Sequence, residues 1–293
     1  MKTGFVTIIG RTNAGKSTLL NRILKKKVSI ATSKPQTTRN AIQGVYNDED
    51  SQIIFVDTPG LVSPHHRLDT FMKREALTSL GGVEAVIYLL DSYLPFDEEI
   101  ESEMKSRLST LDVPLFIVFN KIDLATAPKM EALKKAYQEY FSPHKIVEIS
   151  AIEGFNVDYL VQEIKNVLPE GSSYYPEGML SNHPMSFLYS EIIREQLLLN
   201  LKHEVPHSSA VRIDKVERKA DTTHIYATII VERPSQKGII IGKQGAMIRL
   251  IGQNARHELE SILKRKVNLK LFVSVEEDWR NSSRLLKELG YDD

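Results

Sequence analysis

Gly10-Arg11-Thr12-Asn13-Ala14-Gly15-Lys16-Ser17 follows the apolar run 5–9 and opens a segment in which Leu19, Leu20, Ile23 and Leu24 recur at helical spacing. A strand that ends in G-x-x-x-x-G-K-S/T and feeds a helix is the context in which this pattern cradles phosphate. The glycines let the backbone curl until successive N–H groups and the helix N-terminus face the same oxygens. Asn13, Ala14, Gly15, Lys16, Ser17 and Thr18 are therefore the phosphate-binding candidates. Lys16 would reach the β and γ phosphates, and the Ser17 hydroxyl would ligate Mg2+. From average glycine usage the bare pattern arises by chance in roughly one chain in a hundred of this length.

Outward from this loop, the same alternation repeats to about residue 168. Short β-branched apolar runs at 5–9, 52–56, 85–90, 115–119 and 145–149 each end in a polar or glycine-containing turn and precede a segment of helical period. Strands apolar nearly throughout need cover on both faces, as parallel strands between helical layers have. Residues 1–168 thus predict an α/β domain with a doubly wound, mostly parallel sheet. The chain has 293 residues, which is about two domains at usual domain sizes. Lys and Arg number 38 and Asp and Glu 38, so overall charge implies no partner and any electrostatic footprint must be local. Cysteine is absent, which excludes disulfides, thiolate zinc and cysteine nucleophiles. The apolar runs are too short for a membrane span or a secretory h-region, so a soluble, cytoplasmic protein is expected, compatible with peripheral contact at the inner face of the membrane.

Further motifs lie at the ends of later strands. Asp57-Thr58-Pro59-Gly60 stands where a carboxylate holds Mg2+ through water, with Gly60 beside the phosphates. Asn120-Lys121-Ile122-Asp123 has its value in base chemistry. The Asp123 carboxylate accepts from both N1–H and the exocyclic amine of guanine, whereas adenine offers an N1 acceptor and no such amine. A buried Asp123 left unpaired would reject ATP by orders of magnitude. Asn120 would brace the loop and face guanine N7, the Lys121 stem would lie along the ring, and Ser150-Ala151 would supply a backbone N–H at O6.

With these four motifs in order, the first half resembles the translation-factor-related GTPases. The resemblance makes 33–39, Ser33-Lys34-Pro35-Gln36-Thr37-Thr38-Arg39, the first switch, in which one threonine joins the Mg2+ shell. Thr38 is preferred, with Thr37 next. Leu61 occupies the position where regulatory GTPases carry a glutamine that orients the attacking water. An aliphatic side chain cannot do this, so intrinsic turnover should be slow, roughly 10⁻⁴ to 10⁻² per second. Asn13 resembles the asparagine with which related GTPases hold K+ beside the phosphates.

Residues 169–184 are rich in Gly, Ser and Pro and read as a linker. Beyond them, 185–293 predict a smaller α+β domain: a helix, two antiparallel strands, a short helix, a long helix, a strand and a last helix. Ile241-Gly242-Lys243-Gln244-Gly245 carries a G-x-x-G. With 15 glycines such a pair is expected about once by chance, so its weight comes from context. It joins two helices, the second with Ile248, Ile251, Ala255, Leu259 and Ile262 on one face. Between 237 and 270, eight Lys and Arg side chains stand against Glu258 and Glu260. The order of elements resembles a type II KH domain, which implies single-stranded RNA as ligand and Ile241, Gly242, Lys243, Gln244, Gly245 and Arg249 as its contacts.

Taken together, the two halves resemble the Era family of bacterial GTPases over essentially the whole chain. The resemblance implies GTP as substrate, GDP as product, Mg2+ and K+ as cofactors, and binding near the 3′ end of 16S ribosomal RNA in the 30S subunit during its assembly. A monomer with no DNA partner is expected. A nucleotide-gated RNA chaperone with incidental hydrolysis is the alternative, and a metabolic kinase is disfavoured by Asn120 to Asp123. Four other features read as structural. Acids at 97–103 suit a helix start and form a solvated face; Lys25-Lys26-Lys27 suits the end of the first helix. His65 and His66 lie in a polar loop, and Trp279 packs the final helix.

Overall fold

The computed structural model describes residues 1–60 and 64–291. The expectation for Leu61 lies outside the described residues. In the first half, β1 (Lys2–Ile9), β2 (Ile42–Asn47), β3 (Ser51–Asp57), β4 (Ala85–Asp91), β5 (Leu115–Asn120) and β6 (Lys145–Glu148) form one sheet in the order β2-β3-β1-β4-β5-β6. All neighbours pair in parallel except β2 with β3. The helices are α1 (Lys16–Leu24), α2 (Arg67–Thr78), α3 (Glu98–Leu108), α4 (Ala127–Phe141) and α5 (Val157–Val167). The doubly wound, mostly parallel fold is as the sequence predicts. Every residue of β3 is buried, which explains its unbroken apolar run.

β2 has no counterpart among the expected strands. Its sequence, IQGVYN, mixes polar residues and a glycine, so it lacks a continuous apolar run. Gly44 is needed there, because a Cβ would stand 2.6 Å from Leu24 Cδ1 and 2.7 Å from Leu20 Cδ1 of α1.

Two compact units emerge: Met1–Ala31, Thr38–Val62 and Met72–Asn182; and Thr32–Thr37, Ser63–Phe71 and His183–Asp293. The stretch read as a linker is thus largely part of the first unit. Glu170 bridges Lys2 and Ser181 bridges Gly44. The Tyr174 and Tyr175 N–H groups donate to Gln52 Oε1 at 2.7 and 2.9 Å, and the Tyr174 ring meets Phe5 edge-on at 4.9 Å. Turn-rich composition signals a break in regular structure, not a free tether, because its backbone groups still need partners.

In the second unit, β7 (Ala210–Lys219), β8 (Thr222–Val231) and β9 (Lys266–Val275) form a sheet in that order, β7–β8 antiparallel and β8–β9 parallel. α6 (Met185–Asn200), α7 (Pro234–Ile241), α8 (Ala246–Leu263) and α9 (Ser283–Glu288) complete it. Ile251, Ala255 and Leu259 of α8 pack with Ile225, Ala227 and Ile229 of β8 and Ile192, Ile193 and Leu197 of α6. Trp279 is fully buried and its indole N–H donates to the Ser208 carbonyl at 2.8 Å, which is the packing role expected of it.

The acids at 97–103 divide. Asp97 caps α3, accepting from the Glu99 and Ile100 N–H groups at 3.1 and 3.3 Å. Glu101, however, is fully buried, contrary to the solvated face expected. Positions 101, 104 and 108 share one helical face, and the buried Met104 and Leu108 carry Glu101 inward with them.

Candidate functional site

The phosphate loop runs from the end of β1 into α1. Gly15 caps α1 at φ 100°, in the left-handed region that glycine favours. A Cβ on Gly10 would lie 2.3 Å from the Leu89 carbonyl oxygen, and one on Gly60 would lie 2.6 Å from Thr12 Cγ2. The Asp57–Gly60 turn can therefore lie against the phosphate loop only with glycine at its end. Asn13 at φ 62° lies at the exposed tip of the loop; Ala14 is buried, and Thr18 is half-buried in the first turn of α1.

Lys16 is buried, and its ammonium donates to the Gly10 and Arg11 carbonyls at 2.9 Å each. Burial pushes its pKa down from 10.5 to about 8, an effect Asp57 partly opposes. Phosphate oxygens favour the charged form, so binding takes up a proton whenever Lys16 has lost its own. GTP affinity should accordingly be level below pH 8 and fall about tenfold per unit above it, up to the pKa of the bound state; titration calorimetry from pH 6.5 to 9.5 measures this.

Ser17, Thr38 and Asp57 converge. Ser17 Oγ donates to Asp57 Oδ2 at 2.6 Å and lies 2.8 Å from Thr38 Oγ1. Ser29, which sequence reasoning missed, also donates to Asp57 Oδ2, at 2.9 Å. Asp57 is fully buried, yet its Oδ1 has no hydrogen-bond partner, and burial raises its pKa despite Ser17 and Lys16. An orphaned carboxylate oxygen beside two hydroxyls fits a hard divalent cation such as Mg2+. When bound, Mg2+ neutralises charge developing on the β- and γ-phosphate oxygens. Thr37 is not among these residues: its hydroxyl donates to the Lys34 carbonyl and pairs with the Thr32 hydroxyl, each at 2.7 Å.

At the base side, Asn120 Nδ2 donates to the Ala14 carbonyl at 2.8 Å, and Asn120 Oδ1 accepts the Ala151 N–H at 2.9 Å. Asn120 thus ties the phosphate loop to the Ser150-Ala151 loop, the bracing role expected of it. The Ala151 N–H expected at guanine O6 is engaged in this brace. Ser150 Oγ donates to Asp123 Oδ1 at 2.7 Å and fixes the carboxylate. Asp123 itself is exposed, not buried as its proposed role supposed. It sits on the short turn Ile122–Leu124 at the lip of the site, so desolvation comes only when a base covers it. Lys121, at φ 64°, is paired with Asp91 at 2.6 Å, a partner that its motif does not announce.

In the second unit, Gly242 and Gly245 take φ 72° and 75°, and a Cβ on Gly242 would strike Met247 Cβ at 2.7 Å. Lys243, Gln244 and Arg249 are exposed around the loop, while Ile241 is half-buried. Arg194 of α6, unremarked in the sequence, is buried, pairs with Glu191 at 2.6 and 2.7 Å, and also donates to the Thr37 carbonyl within this unit.

Comparisons with known proteins agree on both halves. Residues 5–121 match the family model of 50S ribosome-binding GTPases, and 204–280 match that of KH domains. A crystal structure of an Aquifex aeolicus Era variant bound to GDP·AlF4⁻ is similar at 38% identity and TM-score 0.95, covering 100% of both chains. Era in complex with MgGDPNP and nucleotides 1506–1542 of 16S ribosomal RNA is similar to the same degree, 38% and 0.95 over 100% of both. A phosphate loop with its guanine motif and a G-x-x-G domain, aligned end to end at that identity, place this chain in the Era family of GTPases.

Proposed function

We propose that the chain is a GTP-hydrolysing switch that binds the 3′-end region of 16S ribosomal RNA and acts in assembly of the small ribosomal subunit. The observation that carries this is the full-length similarity to an Era bound to 16S nucleotides 1506–1542, joined to a G-x-x-G loop whose Lys243 and Gln244 stand exposed. Ser17, Thr38 and Asp57 would hold Mg2+ beside the γ phosphate of GTP. Loss of that phosphate on hydrolysis releases Thr38 and ends the RNA-competent state. Asn13 would hold a K+ ion at the loop tip, the 30S subunit is the larger partner, and the chain works as a cytoplasmic monomer that can touch the inner face of the membrane.

The test is in-cell crosslinking of the tagged protein with RNA sequencing, beside a variant carrying Lys243→Asp and Gln244→Asp. Reads should concentrate at the 3′ end of 16S RNA and be lost in the variant. In vitro, two new negative charges at a backbone-clamping loop should weaken RNA binding at least tenfold and lower the salt slope of log K by about one. Scattered reads, or reads indifferent to the variant, would reject the RNA assignment. Replacing K+ by Na+ should slow hydrolysis if Asn13 has the role given to it, and equal rates would remove that role.

A further inference from the structure

Among the described residues of the first unit, two carboxylates are fully buried: Asp57 at the metal-binding position, and Glu101 of α3, which no motif accounts for. Glu101 Oε1 accepts from Arg11 Nη2 at 2.7 Å and from the Tyr137 hydroxyl at 3.0 Å; its Oε2 accepts from the Tyr88 hydroxyl at 2.5 Å. These donors come from the phosphate loop, α4 and β4. Burial, then the Glu101 charge, pushes both tyrosines above their ordinary range, so they are standing donors. Two hydroxyls alone do not neutralise a buried carboxylate, and breaking a buried pair is strongly unfavourable. Arg11 supplies the missing charge.

Arg11 is also the second residue of the phosphate loop. Its carbonyl accepts the Lys16 ammonium at 2.9 Å and the Ala14 N–H at 3.4 Å. One end of the residue is fixed to a buried anion, and the other positions the phosphate-binding lysine. A loop already held in its binding conformation loses less entropy when ligand arrives. We propose that Glu101 is a positioning residue for nucleotide binding, acting through Arg11 to hold the phosphate loop ready for GTP and GDP. This rests on the GTPase reading given above.

The experiment uses the full chain, with fluorescent GDP for dissociation and phosphate release for turnover. Glu101→Gln and Arg11→Met should each raise the GDP dissociation rate and the KM for GTP about tenfold, with kcat within about twofold. The double variant should be no worse than the worse single, because both changes break one link. Arg11→Lys should recover most of what Arg11→Met loses. Variants that lower melting temperature but leave nucleotide parameters unchanged, or singles whose effects multiply in the double, would overturn the proposal. Should Glu101→Gln not fold, the Arg11 pair of variants decides it, since that side chain is about a quarter exposed (27%). A wild-type chain that fails to retain GDP would overturn the GTPase reading as well, whereas retention by wild type and variants alike removes only the role of Glu101.

Discussion

Asp123→Asn should cost GTP about 10² to 10⁴-fold in affinity and shift preference toward xanthosine triphosphate. The carboxylate offers acceptors to two guanine donors, N1–H and the exocyclic amine, and hydrogen bonds to a charged group contribute about 1.5–3 kcal/mol each. Asparagine keeps one acceptor but turns an N–H donor toward the amine, so two donors face each other. Xanthine has a carbonyl in place of that amine and restores the match. Ser150, 2.7 Å from Asp123 Oδ1, can hold the amide as it holds the acid, so the loop should keep its place. Competition among GTP, XTP and ATP on wild type and variant measures the effect. Unchanged GTP preference in the variant would show that selectivity is set elsewhere.

Lys16→Met should act with opposite signs on function and stability. The variant should lose at least 10³-fold in GTP affinity or turnover, because the ammonium proposed to meet the β and γ phosphates is gone while its space is filled. The fold should nonetheless gain. A pKa of about 8 in place of 10.5 corresponds to about 3 kcal/mol of unfavourable burial for the charged form. Between those two values the unfolded chain holds the proton that the folded chain has released, so stability rises with pH across that window; below pH 8 the whole cost is present. Methionine removes it at the expense of the bonds to the Gly10 and Arg11 carbonyls, each about 1 kcal/mol. A net gain of about 1–2 kcal/mol at pH 7 is expected from chemical denaturation, shrinking as pH approaches 10. A variant less stable than wild type at pH 7 would show that the two carbonyl bonds outweigh burial of the charge. A binding site that keeps an uncomfortable lysine for its ligand is an instance of stability given up for function.

Much of this was legible in the residues themselves. A buried parallel strand is apolar along most of its length, and a loop that wraps phosphate must have glycine and a lysine at fixed offsets, so runs such as 115–119 and motifs such as Gly10 to Ser17 carry their own meaning. The preference for Thr38 over Thr37 rests on the family resemblance and not on local pattern; in the structure Thr38 Oγ1 lies 2.8 Å from the Ser17 hydroxyl that donates to Asp57.

Long sequence separations hide the partners that folding brings together. Ser29 on Asp57, Asp91 on Lys121, Ser150 on Asp123 and Glu101 on Arg11 are each a common polar residue in an unremarkable context. Glu101 looks like one more acid on a charged helix, and only the face it shares with Met104 and Leu108 sends it inward to two tyrosines and an arginine. The stretch after Leu168 shows the same limit: turn-forming residues announce where regular structure stops, but whether their backbone pairs with a strand 120 residues away depends on the fold. Local pattern encodes the backbone and the chemistry it presents. Buried polar pairing is settled between segments, because the free energy of such a pair depends on what the folded chain brings beside it.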